Sequence, residues 1–356
     1  MKLTKRLPRW LVLGLAYPLL FLNGWLLILT FDYFHSIIAI LITATLLAFV
    51  LDYPVQLLRR WGVRRTAAVI WVFLLTLLIS VVLGLTLVPI AIAQLNELIV
   101  RLPSWIKSGS QQLQAFNDWA ETRQLPINFK GVETQLSERF SGQLQAFIGE
   151  ALRLLLNTAS QVLDVFATVI LTFYLVLHGE KLWNGIFQWL PSKYTHPLRG
   201  TLRQKFHNYF VGQATLATLM GVSMTIAFLV LQVPLSLLFG LAIGVMSLFP
   251  FGGALSITLV SLLIAFKSFW LGVRVLLVAT LIDQVVENGV APRLLGGFTG
   301  LNPVWILVAL LVGAKLMGIL GLLIAVPLAA SIKSIAHELR AASSSASTLT
   351  SPLDDV

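Results

Sequence analysis

Three early runs, Leu11 to Phe31, Phe34 to Leu51 and Ala67 to Ile90, contain no Asp, Glu, Lys or Arg. Each is close to the roughly 20 residues a helix needs to cross the ~30 Å hydrocarbon core of a bilayer. Backbone in lipid must satisfy its own hydrogen bonds, so only helices and closed barrels span it. These runs do not alternate apolar with polar residues, so they read as helices. Further apolar runs follow: Ala151 to Leu177, Asn208 to Leu231, Leu235 to Phe249, Ala254 to Phe266, Phe269 to Asn288 and Pro303 to Ile332. The expected fold is all-α: a polytopic helical membrane protein with about eight transmembrane segments and broken or re-entrant helices in its C-terminal half.

Composition agrees. Of 356 residues, 57% are hydrophobic and 11% charged, against roughly 25% charged in soluble domains. Mean hydropathy is +0.87. The net charge of +10 is dispersed in short runs beside apolar segments, which excludes a nucleic-acid footprint. One run is Lys2, Lys5, Arg6 and Arg9; another is Arg59, Arg60, Arg64 and Arg65 around Trp61; a third is Lys181, Lys193, Arg199, Arg203 and Lys205. Such runs mark cytoplasmic loops, so the N-terminus is expected in the cytoplasm. The arginine cluster at Trp61 reads as a topology anchor ahead of an anionic-lipid site. The basic N-terminus resembles a signal peptide, but the apolar run is too long and no small-residue cleavage site follows, so a retained first helix is expected.

Gln94 to Glu150 differs: six acids stand against five bases, and Pro103, Pro126 and Gly131 punctuate it. It is expected to form pieces of amphipathic helix on the non-cytoplasmic side. The organisation expected is therefore residues 1–90 as N-terminal transmembrane helices and 91–150 as the amphipathic region. Residues 151–231 hold the middle spans with a basic loop, 232–335 a transport core with broken helices, and 336–356 a serine- and alanine-rich disordered tail.

No cysteine is present, which excludes disulfides, thiolate metal sites and cysteine nucleophiles. Neither H-E-x-x-H, a P-loop, G-x-S-x-G nor a dinucleotide-binding fingerprint occurs, so no enzyme activity, metal or cofactor is expected. Any transport is not powered by nucleotide hydrolysis within this chain.

The most unusual stretch is Leu271 to Pro327. Asp283, Gln284, Glu287 and Asn288 sit inside apolar sequence and lead to Ala291-Pro292-Arg293. On a helix Asp283 and Glu287 share one face. Insertion scales price each ionised acid at about 2.5–3.5 kcal/mol near a membrane centre, while a surrounding Leu or Val returns only about 0.3–0.6 kcal/mol. The pair therefore demands partners, water or a bound proton, which is the physics of an ion pathway. The rival reading places the pair at the interface, capped by Arg293. Lys315 lies between Gly313 and Gly318; it is a counter-charge for the acids, a substrate anchor, or a cation snorkelling to the surface. Asp164, alone in the fourth run, reads as a structural hydrogen-bonding group. Break candidates are Pro250, Gly252, Gly253, Pro292, Pro303, Gly313, Gly318, Gly321 and Pro327. Such breaks are tolerated at membrane depth only against protein or a wet cavity.

These residues carry a family resemblance. Gln284-Val285-Val286-Glu287-Asn288 leads to Pro292, then Leu301-Asn302-Pro303, then Gly313-Ala314-Lys315-Leu316-Met317-Gly318 through Gly321 to Ala325-Val326-Pro327. Supporting matches are Asp52-Tyr53-Pro54, Pro89 with Gln94 and Pro103, Tyr209 with Gly212-Gln213, and the Pro250 to Gly253 break. Together they resemble the autoinducer-2 exporter family, or PerM-like permeases. Gly252 and Ala254 depart from that family's usual break pattern. The resemblance implies a polytopic protein of the bacterial inner membrane that assembles as a homo-oligomer. Its partners would be the lipid bilayer and a small-molecule or cation substrate.

The expected function is a secondary transporter coupled to a proton or sodium gradient, with the two broken segments meeting near mid-membrane. A passive gated pore lined by the same breaks is the alternative, and an oligomeric membrane scaffold ranks third.

Overall fold

The computed structural model describes residues 9–123, 142, 146, 148–150, 152–153, 162–187, 192–295 and 302–348. Among these residues there is no strand. The protein is a polytopic helical membrane protein. Among the described residues six helices are long and apolar enough to cross a bilayer: His35–Arg60, Arg65–Trp119, Val162–Gly179, Phe206–Val230, Phe269–Leu294 and Pro303–Ser334. Three shorter apolar helices accompany them: Pro18–Leu27, Ser236–Met246 and Gly252–Lys267.

Helices α1 (Arg9–Tyr33) and α2 (His35–Arg60) meet at a corner on Phe34. Pro18 lies inside α1, and the Asn23 amide donates to the Leu19 carbonyl at 2.8 Å, so this polar side chain is satisfied within the helix. Helix α2 does not stop at Asp52-Tyr53-Pro54 as expected. It runs through Pro54 for almost two further turns. Proline removes one backbone donor, but the Gln56 amide bridges the same turn to Asp52 Oδ2 at 2.7 Å. Arg59 and Arg60 then occupy the last turn, where cations suit the helix C-terminus.

The largest departure is α3 (Arg65–Thr122), a single helix of 58 residues. At 1.5 Å per residue it is about 87 Å long, roughly three times the hydrocarbon thickness. The expected break at Pro103 is absent, and Pro89 also lies inside the helix. The reason lies in its packing. Leu95, Leu98, Leu102, Trp105 and Ile106 recur at helical spacing across Pro103 and are all buried. That continuous stripe offsets the one backbone bond a proline removes. Pro126 and Gly131, also expected to break this region, lie outside the described residues.

Helix α4 (Val162–Phe187) packs against the α2–α3 pair through Val55, Ala68, Val69, Val72 and Val176. Helix α5 (Ser192–Val230) and the short α6 (Ser236–Met246) form one hairpin, and α7 (Gly252–Lys267) and α8 (Phe269–Val285) form another. Lipid supplies no hydrophobic force between helices, so close contact needs small residues. Gly240 and Gly244 of α6 provide it. A Cβ on Gly244 would lie 2.7 Å from the Gly221 Cα and 2.9 Å from the Ala217 carbonyl oxygen, and one on Gly240 would strike Thr225. In the second hairpin a Cβ on Gly272 would come 2.6 Å from the Ala265 Cα.

The C-terminal half of α3 lies across the ends of both hairpins. Gln94 Oε1 accepts the Leu238 N–H at 2.9 Å in the first turn of α6. Gln112 spans the α7–α8 corner: its amide donates to the Phe266 carbonyl at 3.0 Å and accepts the Phe269 N–H at 2.8 Å. Gln94 and Gln112 thus tie the start of α6 and the α7–α8 corner to the same long helix. Helices α6 and α7 measure about 16 and 24 Å at helical rise, each short of ~30 Å.

Past α8 the helix widens into a π turn (Val286–Val290) and ends as α9 (Ala291–Leu295). The final element, α10 (Pro303–Thr348), opens on an Asn302 cap whose Oδ1 accepts the Val304 N–H at 3.0 Å, with Pro303 at the first position. It is not one straight span. Met317 (φ −139°) and Gly318 (φ +56°) break it, and the two arms fold back on each other. A Cβ on Gly313 would lie 2.5 Å from the Gly321 carbonyl oxygen and 3.1 Å from the Ala325 Cβ. The arms pack on α5 and α2 through Leu310, Ala325, Val326, Tyr209 and Phe210. The tail expected to be disordered from residue 336 is helical to Thr348, consistent with the helix propensity of its alanines.

Candidate functional site

The break between α6 and α7 is built by sequence that cannot continue a helix. Pro250 supplies no N–H, and Phe251 takes the left-handed conformation at φ +66°. A non-glycine residue held there costs about 1–3 kcal/mol and persists only where its surroundings fix it. Those surroundings are tight: a Cβ on buried Gly252 would strike the Met246 carbonyl. The link is further held from α5, where the Gln213 amide donates to the Ser247 carbonyl at 2.5 Å.

Asp283 meets this break. A Cβ on Gly253 would lie 3.3 Å from Asp283 Oδ1 and 3.2 Å from Ser247 Oγ. The antiparallel hairpin α7–α8 explains the register: Gly253 opens α7 and Asp283 stands near the end of α8, on either side of the Ser268 corner. Asp283 lies about 21 Å along the helix from Phe269. Phe269 and Trp270 are exposed aromatics suited to a membrane interface. The half-buried Asp283 thus stands within an apolar span, against the start of a broken helix whose N-terminal partial positive charge favours a carboxylate.

The neighbouring polar residues behave differently. Glu287 is exposed and lies on the π turn, a feature frequent at functional sites. Asn288 Nδ2 donates to Gln284 Oε1 at 2.6 Å, so these two amides satisfy one another on the adjacent face. Arg293 is exposed and forms no ion pair with Asp283 or Glu287. Pro292 does not end the helix directly; the π turn delivers the Ala291 N–H to the Val286 carbonyl and the helix continues to Leu295.

Lys315 also stands apart. It is exposed on the first arm of α10, two residues before Met317, and makes no ion pair with Asp283 or Glu287. Helix α10 packs on α5 and α2 instead of on α7 and α8. Lys315 is thus not paired with either acid, and the Gly313–Gly321 contact is made within α10 itself. Gly318 supplies the left-handed turn of the α10 hairpin, Gly313 and Gly321 its close contact, and Pro327 is buried in its second arm.

Gln94, Gln112, Gln213 and Ser247 hold this arrangement together. A glutamine within helical apolar sequence is a usable signal, since an unsatisfied amide is costly there. Ser247 carries none, because serine is common on membrane helices.

The model of the AI-2E family transporters matches residues 15–341. The chain belongs to the AI-2E transporter family. Sequence relatives agree with that membership. A Synechocystis sp. (strain PCC 6803) protein, sll0060, provisionally named a transport protein, is 43% identical over 331 residues, covering 93% of this chain and 96% of its own. TqsA of Escherichia coli (strain K12), named an AI-2 transport protein, is 25% identical over 360 residues, covering 96% and 99%. PerM of the same strain, provisionally named a permease, is 24% identical over 334 residues, covering 86% and 88%. AI-2E membership makes this chain a transporter-family protein of multi-pass membrane type.

Proposed function

We propose that this AI-2E family member is a secondary transporter. It couples a proton or sodium gradient to export of a small molecule or to cation exchange. The observation that carries this reading is Asp283 beside Gly253, a carboxylate within an apolar span, against a broken helix. An ionisable side chain there is costly, and an exchangeable ion relieves the cost. Broken helices at such a site leave backbone dipoles able to face a cargo. Glu287 extends the acidic path along the π turn. The arginines around Trp61 support a cytoplasmic α2–α3 turn and, with it, a cytoplasmic N-terminus in the bacterial inner membrane. The lipid-facing apolar surfaces leave room for homo-oligomer assembly.

The test is flux in proteoliposomes under an imposed pH or sodium gradient. AI-2, the cargo in TqsA's name, is one probe, and sodium-triggered proton movement is another. Gradient-dependent accumulation that is lost in the double variant Asp283→Asn, Glu287→Gln supports the reading. Flux that never rises above equilibrium, or that survives in the variant with unchanged gradient dependence, overturns it in favour of a passive pore.

A further inference from the structure

The end of α2 and the start of α3 hold Arg59, Arg60, Arg64 and Arg65, with Trp61 among them. The turn that carries them is rigid. Gly62 takes the left-handed conformation at φ +89°. Its N–H meets the Arg59 carbonyl at 3.0 Å, and the Val63 N–H meets the Leu58 carbonyl at 3.3 Å. These are the two bonds of a Schellman cap, and Leu58 and Val63 close it by packing on the cluster of Val55 and Val69. The turn is also tied sideways, because Arg65 Nη2 donates to the Val176 carbonyl of α4 at 3.4 Å. Three apolar spans meet at this level: one ends at Arg60, one begins at Arg65 and one ends at Gly179. Trp61, 75% exposed, suits the headgroup region there.

Arg59, Arg60 and Arg64 are exposed, as is Lys181, two residues past the α4 span. Among the described residues none of these four cations makes an ion pair. Arg64 stands at the start of α3, where a cation opposes the helix macrodipole, and no acid in the first turn offsets it. Orienting a chain in the bilayer needs only a number of lysines or arginines on one side. It needs neither a fixed turn nor a guanidinium at every position. A planar guanidinium is the group that holds a phosphate through two parallel hydrogen bonds.

We propose that the Arg59–Arg64 turn and Lys181 form a binding site for the headgroup phosphates of anionic phospholipid. The Schellman cap holds the guanidinium groups in place, Trp61 sets their depth, and Lys181 widens the charge across α4. Lipid is the occupant because three span ends put the cluster where headgroups lie. The site stands apart from the coupling reading and does not depend on it.

The test reconstitutes the full chain in phosphatidylcholine vesicles with spin-labelled phosphatidylglycerol or phosphatidylcholine, and measures the fraction of each label immobilised on the protein. Wild type should prefer phosphatidylglycerol at least threefold. The triple variant Arg59→Gln, Arg60→Gln, Arg64→Gln should lose most of that preference. The matching triple Lys variant, which keeps the charge that orients insertion, should fall to an intermediate value. Arg101→Gln, which removes a cation paired with Glu97, should change nothing. The chain has no cysteine, so Thr122→Cys, labelled in cells, reports whether each variant keeps the wild-type topology, and only those that do are compared. Equal binding of the two lipids by wild type overturns the site. So does full wild-type preference in the Gln variant, or in the Lys variant where the Gln variant inverts. Loss of the preference on adding excess inorganic phosphate at constant ionic strength overturns the lipid occupant in favour of a soluble anion.

Discussion

Gly313 lies backbone to backbone against Gly321, although eight positions separate them in a chain that is helical on both sides. A straight helix would hold them about 12 Å apart. The contact defines α10 as a hairpin with Met317 and Gly318 at its tip. Any side chain at Gly321 would collide with the Gly313 carbonyl.

Gly321→Ala should therefore lower the thermal midpoint of the detergent-solubilised protein. Overpacking of this kind costs about 1–3 kcal/mol. The measurement is tryptophan-monitored melting. A midpoint equal to wild type would mean that the arms separate freely.

A second pair of substitutions separates crowding from glycine flexibility. Gly244 and Gly84 both sit within helices, but only Gly244 is pressed against another backbone. Gly244→Ala should destabilise through the α5–α6 contact. Gly84→Ala should be neutral or stabilising by about 0.5–1 kcal/mol, the usual gain of alanine over glycine in a helix. Melting of both variants side by side checks the contrast.

Gln112→Leu removes the side chain that serves the Phe266 carbonyl and the Phe269 N–H. Each such hydrogen bond contributes about 0.5–1.5 kcal/mol net. Hydrogen exchange at the Phe269 amide should accelerate at least tenfold, while exchange in α2 stays unchanged. Equal protection in the variant would show that water replaces the amide.

The two acids should differ in weight. Asp283 is half-buried against Gly253, whereas Glu287 is exposed. Asp283→Asn should reduce gradient-driven flux at least tenfold, and Glu287→Gln by a smaller factor. Flux assays on both single variants in proteoliposomes decide the order; the reverse order would move the ion path to the π turn.

Much of this architecture was legible in the sequence, because a bilayer demands long uncharged runs and punishes buried acids. The runs from Phe34 onward and the Pro250–Gly253 break follow from those two costs. The sequence misleads where a local penalty is outweighed by distant packing. Pro54 and Pro103 each look like helix ends, yet Gln56 and the stripe from Leu95 to Ile106 carry the helices through. Lys315 and the acids look complementary by charge alone, but charge pattern does not say which helices pack together. Ser247 carries no signal in the sequence, because its place beside Gly253 depends on how α6 and α7 fold against each other.

The π turn at Val286–Val290 amounts to one surplus residue stored in a helix. Each residue turns an α-helix by about 100°, so the turn sets Pro292 and Arg293 on a different side of the axis from the one that plain counting from Asp283 assigns. Deleting one residue there would restore the regular pitch and leave everything beyond it on the side of the axis where it now stands. The π turn thus takes up one residue of extra length within the helix while α9 keeps its side of the axis.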